Sequence, residues 1–148
     1  MDLKRVVVTG IGALTPLGNS VSDYWHGLIN GVSGANPITL FDASKFKTRF
    51  ACELKNFEPT DFLDKKEARK IDRFTQTALV CSDRAVKDAG ISKDTVNPNR
   101  VGVIFSSGIG GLITFQQEVT EFAKGDGTPR FNPFFIPKMI LDIAAGHI

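Results

Sequence analysis

The chain has 148 residues, of which 42% are hydrophobic and 23% charged, which is the composition of an ordinary globular domain. Its formal net charge of +2 excludes a global electrostatic attraction to nucleic acid or anionic membrane, so any basic function must be local. The two cysteines form no zinc or disulfide pattern, and no apolar run approaches the roughly 20 residues that span a bilayer. We therefore expect a cytoplasmic protein that binds neither nucleic acid nor membrane.

The N-terminal third predicts one strand and one amphipathic helix. Arg5–Thr9 is a short β-branched run ended by Gly10, which is typical of a buried strand in a parallel or mixed sheet. Ser20 is a good helix N-cap, with Asp23 three positions later as a weaker form of the capping box, and Gly31 helps to end the helix. The apolar stripe of this helix is formed by Val21, Trp25, Leu28 and Val32.

The middle of the chain predicts a long helix. Thr48–Leu54 is a possible strand, and the rest of residues 35–64 is predicted to be mostly loop. Apolar residues then recur at helical spacing over Lys65–Ala89, and Gly90 is a credible C-cap. The predicted apolar face consists of Ile71, Phe74, Ala78, Cys81, Ala85 and Ala89.

The C-terminal third adds a second strand and two helices. Val101–Phe105 is an apolar run followed by a glycine-rich bend, Ser106–Gly111. Leu112–Lys124 carries apolar residues on one face, and Phe134–Ile148 is predicted to be a buried helix beginning around Pro137. The order of elements indicates an α/β architecture. Two strands are few for four helices, so we expect the chain to be an incomplete part of a larger fold.

Two glycine-rich turns follow predicted strands and invite nucleotide-binding interpretations. Gly10-Ile-Gly12 lacks the third glycine of the dinucleotide fingerprint, because Thr15 and Pro16 stand where it would be. The bend ending at Gly111 continues with Leu112, not with the Lys-Ser/Thr of a phosphate-binding loop. Structural turns, in which backbone approaches backbone or a ligand closely, are therefore favoured over nucleotide binding.

Four cations share one face of the predicted long helix. They are spaced at i, i+3, i+4 and i+7, so they project together on the side away from the apolar stripe. The face is either simply solvated or a docking site for an acidic partner, attracted by complementary charge. These cations are Lys66, Arg69, Lys70 and Arg73.

The cysteines and histidines give no catalytic or metal site. Cys81 lies on the apolar stripe, and Cys52 lies in a possible strand. His26 and His147 have no cysteine partner at a spacing that suggests a nucleophile and its base. The residues alone therefore indicate no catalytic group and no metal.

Several stretches together resemble the elongating β-ketoacyl-acyl carrier protein synthases of type II, which have the thiolase-like fold. They occur in the order of that family and extend over essentially the whole chain. The matching segments are Arg5–Gly12, Thr15–Asn19, Phe41–Asp42, Lys66–Asp72, Ser106–Gly111, Pro133–Pro137 and Ala145–His147.

The resemblance implies a layered α/β/α/β/α enzyme, usually a homodimer, of which residues 1–148 would be an incomplete N-terminal part. It implies a decarboxylative Claisen condensation between an acyl thioester and malonyl-acyl carrier protein, with no cofactor. A cysteine acts as nucleophile, and two histidines stabilise the enolate oxygen. In the family these residues lie beyond the position of Ile148, so we expect no catalytic residue in this chain and no activity of the chain alone.

The resemblance also implies supporting roles for residues that are present. Ile109 matches a residue bordering the acyl pocket, and Phe134 and Phe135 match the segment that reaches the pocket of the neighbouring subunit. Four cations match positions that engage the acidic acyl carrier protein, and we refer to them as the docking set. The docking set is Lys66, Arg69, Lys70 and Arg130.

Two other kinds of protein stay open on the sequence. One is a non-catalytic member of the family, either a partner resembling a chain-length factor or a module that only binds carrier protein. The other, less favoured, is a nucleotide-binding oxidoreductase. The residue at the nucleophile position after Ile148 separates the first from a synthase, since cysteine supports the synthase and glutamine the non-catalytic partner. A cofactor titration tests the second.

Overall fold

The computed structural model describes residues 3–148. The helices are α1 (Val21–Ile29), α2 (Lys65–Ala68), α3 (Arg73–Asp88), α4 (Leu112–Lys124), α5 (Phe135–Met139) and α6 (Ile143–His147). The strands are β1 (Asn36–Pro37) and β2 (Phe50–Ala51), and 3-10 helices cover Pro59–Asp61 and Pro98–Arg100. The chain divides into two compact units, of which the first runs to Phe57 and includes Arg84–Gly90. The second contains Glu58–Asp83 and Ile91–Ile148.

Helix α1 of the first unit begins and ends where the sequence predicts. The Ser20 hydroxyl accepts a hydrogen bond from the backbone N–H of Asp23 at 3.0 Å, which caps the N-terminus. Gly31 has φ +62°, and the N–H of Val32 donates to the Gly27 carbonyl at 2.9 Å, as in a Schellman motif. The predicted apolar stripe is not buried, however, since Trp25 is 62% exposed.

The sheet of the first unit is much smaller than predicted. β1 and β2 pair antiparallel, with Asn36 opposite Ala51 and Pro37 opposite Phe50, so only two residues of the predicted strand Thr48–Leu54 are paired. Beyond the ladder, the Glu53 carboxylate accepts hydrogen bonds from the hydroxyl and backbone N–H of Thr39. This side chain adds to the backbone link between the two segments, which extends one position past the ladder through the hydrogen bond from the Ile38 N–H to the Arg49 carbonyl at 3.0 Å.

The two strands predicted from apolar runs are absent from the described part of the chain. Arg5–Thr9 and Val101–Phe105 have no regular secondary structure, and Val6 and Ile104 are almost completely exposed. A strand requires a neighbour for its backbone N–H and C=O groups. Within residues 3–148 the only pairing besides β1–β2 is the bridge between Thr15 and Gly18, so neither run has a partner.

The predicted single helix over Lys65–Ala89 is wrong, because the structure divides it into α2 and α3. The Asp64 carboxylate accepts hydrogen bonds from the N–H groups of Lys66 and Glu67 and so starts α2. The Asp72 carboxylate accepts from the N–H of Phe74 at 3.1 Å and starts α3. Aspartate caps of this kind compete with continuation of a helix, and apolar spacing alone does not reveal them.

Helix α3 contributes the buried residues of this region. Thr75, Ala78 and Val80 are buried, whereas most of the predicted apolar face is only half-buried. Ile71 is buried as predicted but lies before the helix, not on it. Gly90 follows the helix with φ +64°, as expected of a residue at the C-terminal end.

The C-terminal prediction is confirmed in part. Helix α4 has the predicted limits, but the single helix expected from about Pro137 is divided into α5 and α6. The carbonyl of Met139 accepts a hydrogen bond from the N–H of Gly111 at 3.2 Å, so this tertiary contact takes the place of a helical bond to Ile143. Pro137 lies within the first turn of α5, where its missing N–H costs no helical hydrogen bond.

Candidate functional site

The cations of the predicted basic face do not share one continuous helix. Lys66 lies on α2, Arg69 caps its end, Lys70 lies in the connection, and Arg73 is the first residue of α3. The predicted spacing on a single helix is therefore wrong, because Asp72 starts a new helix between them. Lys66, Arg69 and Arg73 are nonetheless exposed, and Lys70 is half-buried.

Two members of the docking set already have acidic partners. The Lys70 ammonium lies 2.6 Å from the Glu67 carboxylate, and the Arg130 guanidinium lies 3.3 Å from the Asp126 carboxylate. Ion pairs this exposed contribute little to stability, but each locally neutralises its cation. Lys66 and Arg69 form no such pair with any residue of the described chain, so they carry the uncompensated charge of the set.

A pocket of about 360 Å³ in the second unit lies directly beside Arg69. Three cations and one acid line it, and its apolar part includes the buried residues Ala68 and Ile71. We refer to it as the cationic pocket. Sequence reasoning missed two of its cations, Lys65 and Lys138, because they lie 73 positions apart and no spacing pattern links them. Its lining residues are Glu58, Pro59, Thr60, Lys65, Ala68, Arg69, Ile71, Gln76 and Lys138.

The acid of the cationic pocket is held by its own loop. The Glu58 carboxylate accepts hydrogen bonds from the Thr60 hydroxyl at 2.7 Å and from the Thr60 N–H at 3.2 Å. The bond from the Thr60 hydroxyl, and next the one from its N–H, hold the pKa of Glu58 below its usual value, with a smaller contribution from Arg73. Glu58 is therefore ionised at neutral pH.

The glycine-rich bend packs closely against the C-terminal end of α5. The Ser107 hydroxyl accepts a hydrogen bond from the N–H of Gly110 at 3.0 Å. A Cβ on Gly110, where φ is +81°, would lie 2.3 Å from the carbonyl oxygen of Met139. A Cβ on Gly111 would lie 2.2 Å from the carbonyl oxygen of Lys138. Ile109 is held on this bend and is 64% exposed.

The predicted pocket phenylalanines lie at the other end of α5. Phe134 precedes the helix and is 39% exposed, while Phe135 is its first residue. The Phe135 ring lies 6.2 Å from that of Phe115 on α4 and 5.6 Å from that of Phe131, measured between ring centroids. Phe131 in turn packs at 5.5 Å against Phe122, so four aromatic rings form a continuous apolar row.

Close packing within the first unit explains why position 10 is a glycine. A Cβ there would lie 2.3 Å from the carbonyl oxygen of Ala85 and 2.5 Å from the N atom of Ala89. The N–H of Ile11 also donates to the Asp88 carboxylate at 2.9 Å. The backbone at residue 10 lies so close to the last turns of α3 that a glycine is required there. This packing explains the glycine without a bound nucleotide.

The remaining candidates show no reactive arrangement. Cys52 is exposed and Cys81 half-buried, and neither forms a disulfide. Over residues 3–148, no group of three or more His, Cys, Asp and Glu side chains is arranged to hold a metal ion. In the same range, no helix has the length and apolar content needed to cross a membrane.

Known proteins resemble this chain over nearly its whole length. The family model for the N-terminal domain of β-ketoacyl synthases matches residues 3–148. The 3-oxoacyl-[acyl-carrier-protein] synthase 2 of a Synechocystis species is 45% identical over 146 residues, which is 99% of this chain and 35% of the relative. The chain thus spans about a third of the length of the relatives that it matches.

Solved structures agree with the predicted fold class. A type II PKS acyl-carrier protein complexed with its ketosynthase, bound to the hexaketide, gives a TM-score of 0.75 at 27% identity, covering 98% of this chain and 38% of the other. The ishigamide ketosynthase/chain length factor gives a TM-score of 0.71 at 28% identity, covering 93% of this chain and 34% of the other. The thiolase-like fold class is therefore confirmed, although few of its strands are paired here. The chain belongs to the β-ketoacyl synthase family, within which it matches the N-terminal domain.

Proposed function

We propose that the protein is the N-terminal part of a condensing enzyme of fatty-acid elongation, and that the whole enzyme joins an acyl thioester to malonyl-acyl carrier protein by decarboxylative Claisen condensation. The 45% identity to a 3-oxoacyl-[acyl-carrier-protein] synthase supports a fatty-acid role over a polyketide one. The polyketide-related neighbours are only 27% and 28% identical. We further propose a cytoplasmic homodimer that requires no cofactor.

Within that reaction, this part of the enzyme supplies carrier docking and part of the acyl-pocket wall. The nucleophilic cysteine and the two histidines lie beyond Ile148, so the chain alone is inactive. Ile109, Phe134 and Phe135 border the acyl pocket, where each buried methylene of the acyl chain contributes about 0.8 kcal/mol. The packing of the Phe135 ring against Phe115 and Phe131 supports this role.

The observation that carries the docking proposal is the uncompensated charge at Lys66 and Arg69. Both are exposed on the same short segment, and neither has an acidic partner in the described chain. An acidic carrier protein would be attracted to this segment by complementary potential. Lys70 and Arg130 would contribute less, because each must first release its own acid.

The test is a double charge reversal, Lys66→Glu with Arg69→Glu, in the full-length synthase. We expect KM for carrier-bound substrate to rise about ten- to a hundredfold, with little change for small pantetheine thioesters, since only the former uses the docking surface. The control is Lys47→Glu with Lys93→Glu, which makes the same change of net charge at exposed positions elsewhere. Equal effects on both substrates would eliminate the docking role.

A second candidate function is a non-catalytic partner of a ketosynthase. It is favoured by the match to a ketosynthase/chain length factor, with a TM-score of 0.71. The residue at the nucleophile position after Ile148 distinguishes the two, because glutamine there indicates the non-catalytic partner. A condensation assay of the full-length protein gives an independent answer.

A further inference from the structure

The cationic pocket has an excess of positive charge that nothing in its own surroundings removes. Lys65, Arg69 and Lys138 line it against the single acid Glu58. None of these three cations forms an ion pair or side-chain hydrogen bond with another described residue. Lys70 and Arg130, by contrast, each lie within 3.3 Å of a neighbouring carboxylate. The pocket thus brings together three cations whose positive charge is left open to a ligand.

Glu58 does not cancel this excess. Its Oε1 accepts two hydrogen bonds from Thr60, one from the hydroxyl and one from the backbone N–H, so this oxygen is committed to its own turn. With three cations and one acid, the formal charge of the lining is +2. An anion is therefore the ligand that the electrostatics favour.

The apolar part of the pocket narrows the choice of anion. Ala68 and Ile71 are among the lining residues, and both are buried, with 5% and 8% of their surface exposed. The Gln76 amide donates to the Ala68 carbonyl at 2.8 Å, which fixes this side of the pocket. Such a surface suits a carboxylate carried on methylene groups better than a fully hydrated inorganic anion, because the stem buries apolar area while the head meets the cations.

Two cations of the pocket, Lys65 and Lys138, lie outside the docking set, and Lys138 is the one that comes from α5. It lies on α5 and is half-buried, and its carbonyl is the atom that a Cβ on Gly111 would meet. Its backbone is therefore held against the glycine-rich bend, which restricts where its ammonium can reach. A cation on a fixed backbone loses less entropy on pairing than one on a free loop.

We infer that the cationic pocket receives one acidic side chain of the docked carrier protein, and that Lys138 is the residue that selects it. This inference rests on the proposed function, since it takes the partner to be an acidic carrier protein. Docking then has two components. Lys66 and Arg69 attract the partner over a distance, and the pocket fixes its orientation through a single inserted carboxylate.

The test measures binding of acyl carrier protein to the full-length synthase by calorimetry, using Lys138→Gln. We expect Kd to rise about three- to tenfold, as for the loss of one partly buried charge pair. Lys138→Arg should retain most of the affinity, and Lys93→Gln, the matched loss of one exposed lysine, should change Kd less than about twofold. Equal values for Lys138→Gln and Lys93→Gln would overturn the inference.

A set of carrier variants, each with one Asp→Asn or Glu→Gln change, identifies the inserted side chain. One of them should lose its effect on Kd when combined with Lys138→Gln, whereas the others should add independently. Additivity throughout would contradict insertion of a single carboxylate. So would saturable binding of inorganic phosphate that Lys138→Gln abolishes while carrier binding stays unchanged, because the pocket would then be a site for a free anion.

Failure of this inference is distinguishable from failure of the proposed function. If Lys66→Glu with Arg69→Glu weakens carrier binding while Lys138→Gln behaves like Lys93→Gln, the docking surface stands and the pocket's role is wrong. If neither variant changes carrier binding, docking at this surface is itself wrong, and the inference falls with it.

Discussion

Thr114 donates a hydrogen bond from its hydroxyl to the Asp72 carboxylate, 42 positions earlier in the chain. The other oxygen of the same carboxylate accepts from the N–H of Phe74. One aspartate therefore starts α3 and holds the first turn of α4, immediately after the glycine-rich bend. This contact therefore helps to fix the orientation of the bend that carries Ile109, together with the hydrogen bond from the Gly111 N–H to the Met139 carbonyl.

We predict that Thr114→Val lowers the free energy of unfolding by about 1–2 kcal/mol. The substitution keeps the branched shape but removes the donor, which leaves one oxygen of a half-buried carboxylate without its partner. Thr114→Ser retains the hydroxyl and should cost less. Urea denaturation of the three proteins measures the difference, and equal losses for valine and serine would show that the hydrogen bond has no role.

The glycine-rich bend provides a second prediction, because its glycines differ in the space available for a side chain. Gly110 has φ +81°, and an added Cβ would lie 2.3 Å from the carbonyl oxygen of Met139. Gly108 has open space at the same position, with no heavy atom within 4 Å. Gly110→Ala should therefore destabilise by about 3 kcal/mol or more, and Gly108→Ala should stay within about 0.5 kcal/mol of the parent.

Chemical denaturation of the two alanine variants compares them directly. The pair is matched because each variant adds one methyl group to the same bend. A similar loss of stability in both variants would mean that the bend tolerates no added side chain at either position. The contact of Gly110 with α5 would then not be the cause.

The sequence predicts local features of this fold better than its long-range pairing. The caps at Ser20, Gly31 and Gly90 and the limits of α4 follow from residues adjacent in the chain, and the structure has them. The breaks in the two predicted long helices also involve contacts with distant residues. Asp72 caps α3 locally and accepts from Thr114 as well, and the Met139 carbonyl accepts from the N–H of Gly111.

The prediction of the two strands was wrong for a related reason. Valine-rich runs such as Arg5–Thr9 show a preference for strand, but pairing requires a second strand at the right place, and none is found within the described residues. The thiolase-like fold class was nevertheless predictable from motifs in register. For the candidate site, spacing revealed the cations of one segment, whereas the pocket that includes Lys138 depends on tertiary contact alone.

The last prediction concerns Thr75, a fully buried residue on α3. Its exposed fraction is 0%, and its hydroxyl has no hydrogen-bond partner in residues 3–148. Burying a hydroxyl without a partner costs about 1–3 kcal/mol in mutational data. Thr75→Val removes that hydroxyl while keeping a side chain of similar shape, and should stabilise the protein by about 1 kcal/mol.

Thr77 provides the matched control on the same helix. Its hydroxyl donates to the Phe74 carbonyl at 2.8 Å, so Thr77→Val loses a hydrogen bond and should destabilise by about 0.5–1 kcal/mol. The two variants make the same chemical change with opposite expected signs, and helix propensity differs little between threonine and valine. Denaturation curves measured side by side decide the matter. A loss of stability in Thr75→Val equal to that in Thr77→Val would show that the Thr75 hydroxyl is satisfied after all, by an ordered water or by residues outside the described range.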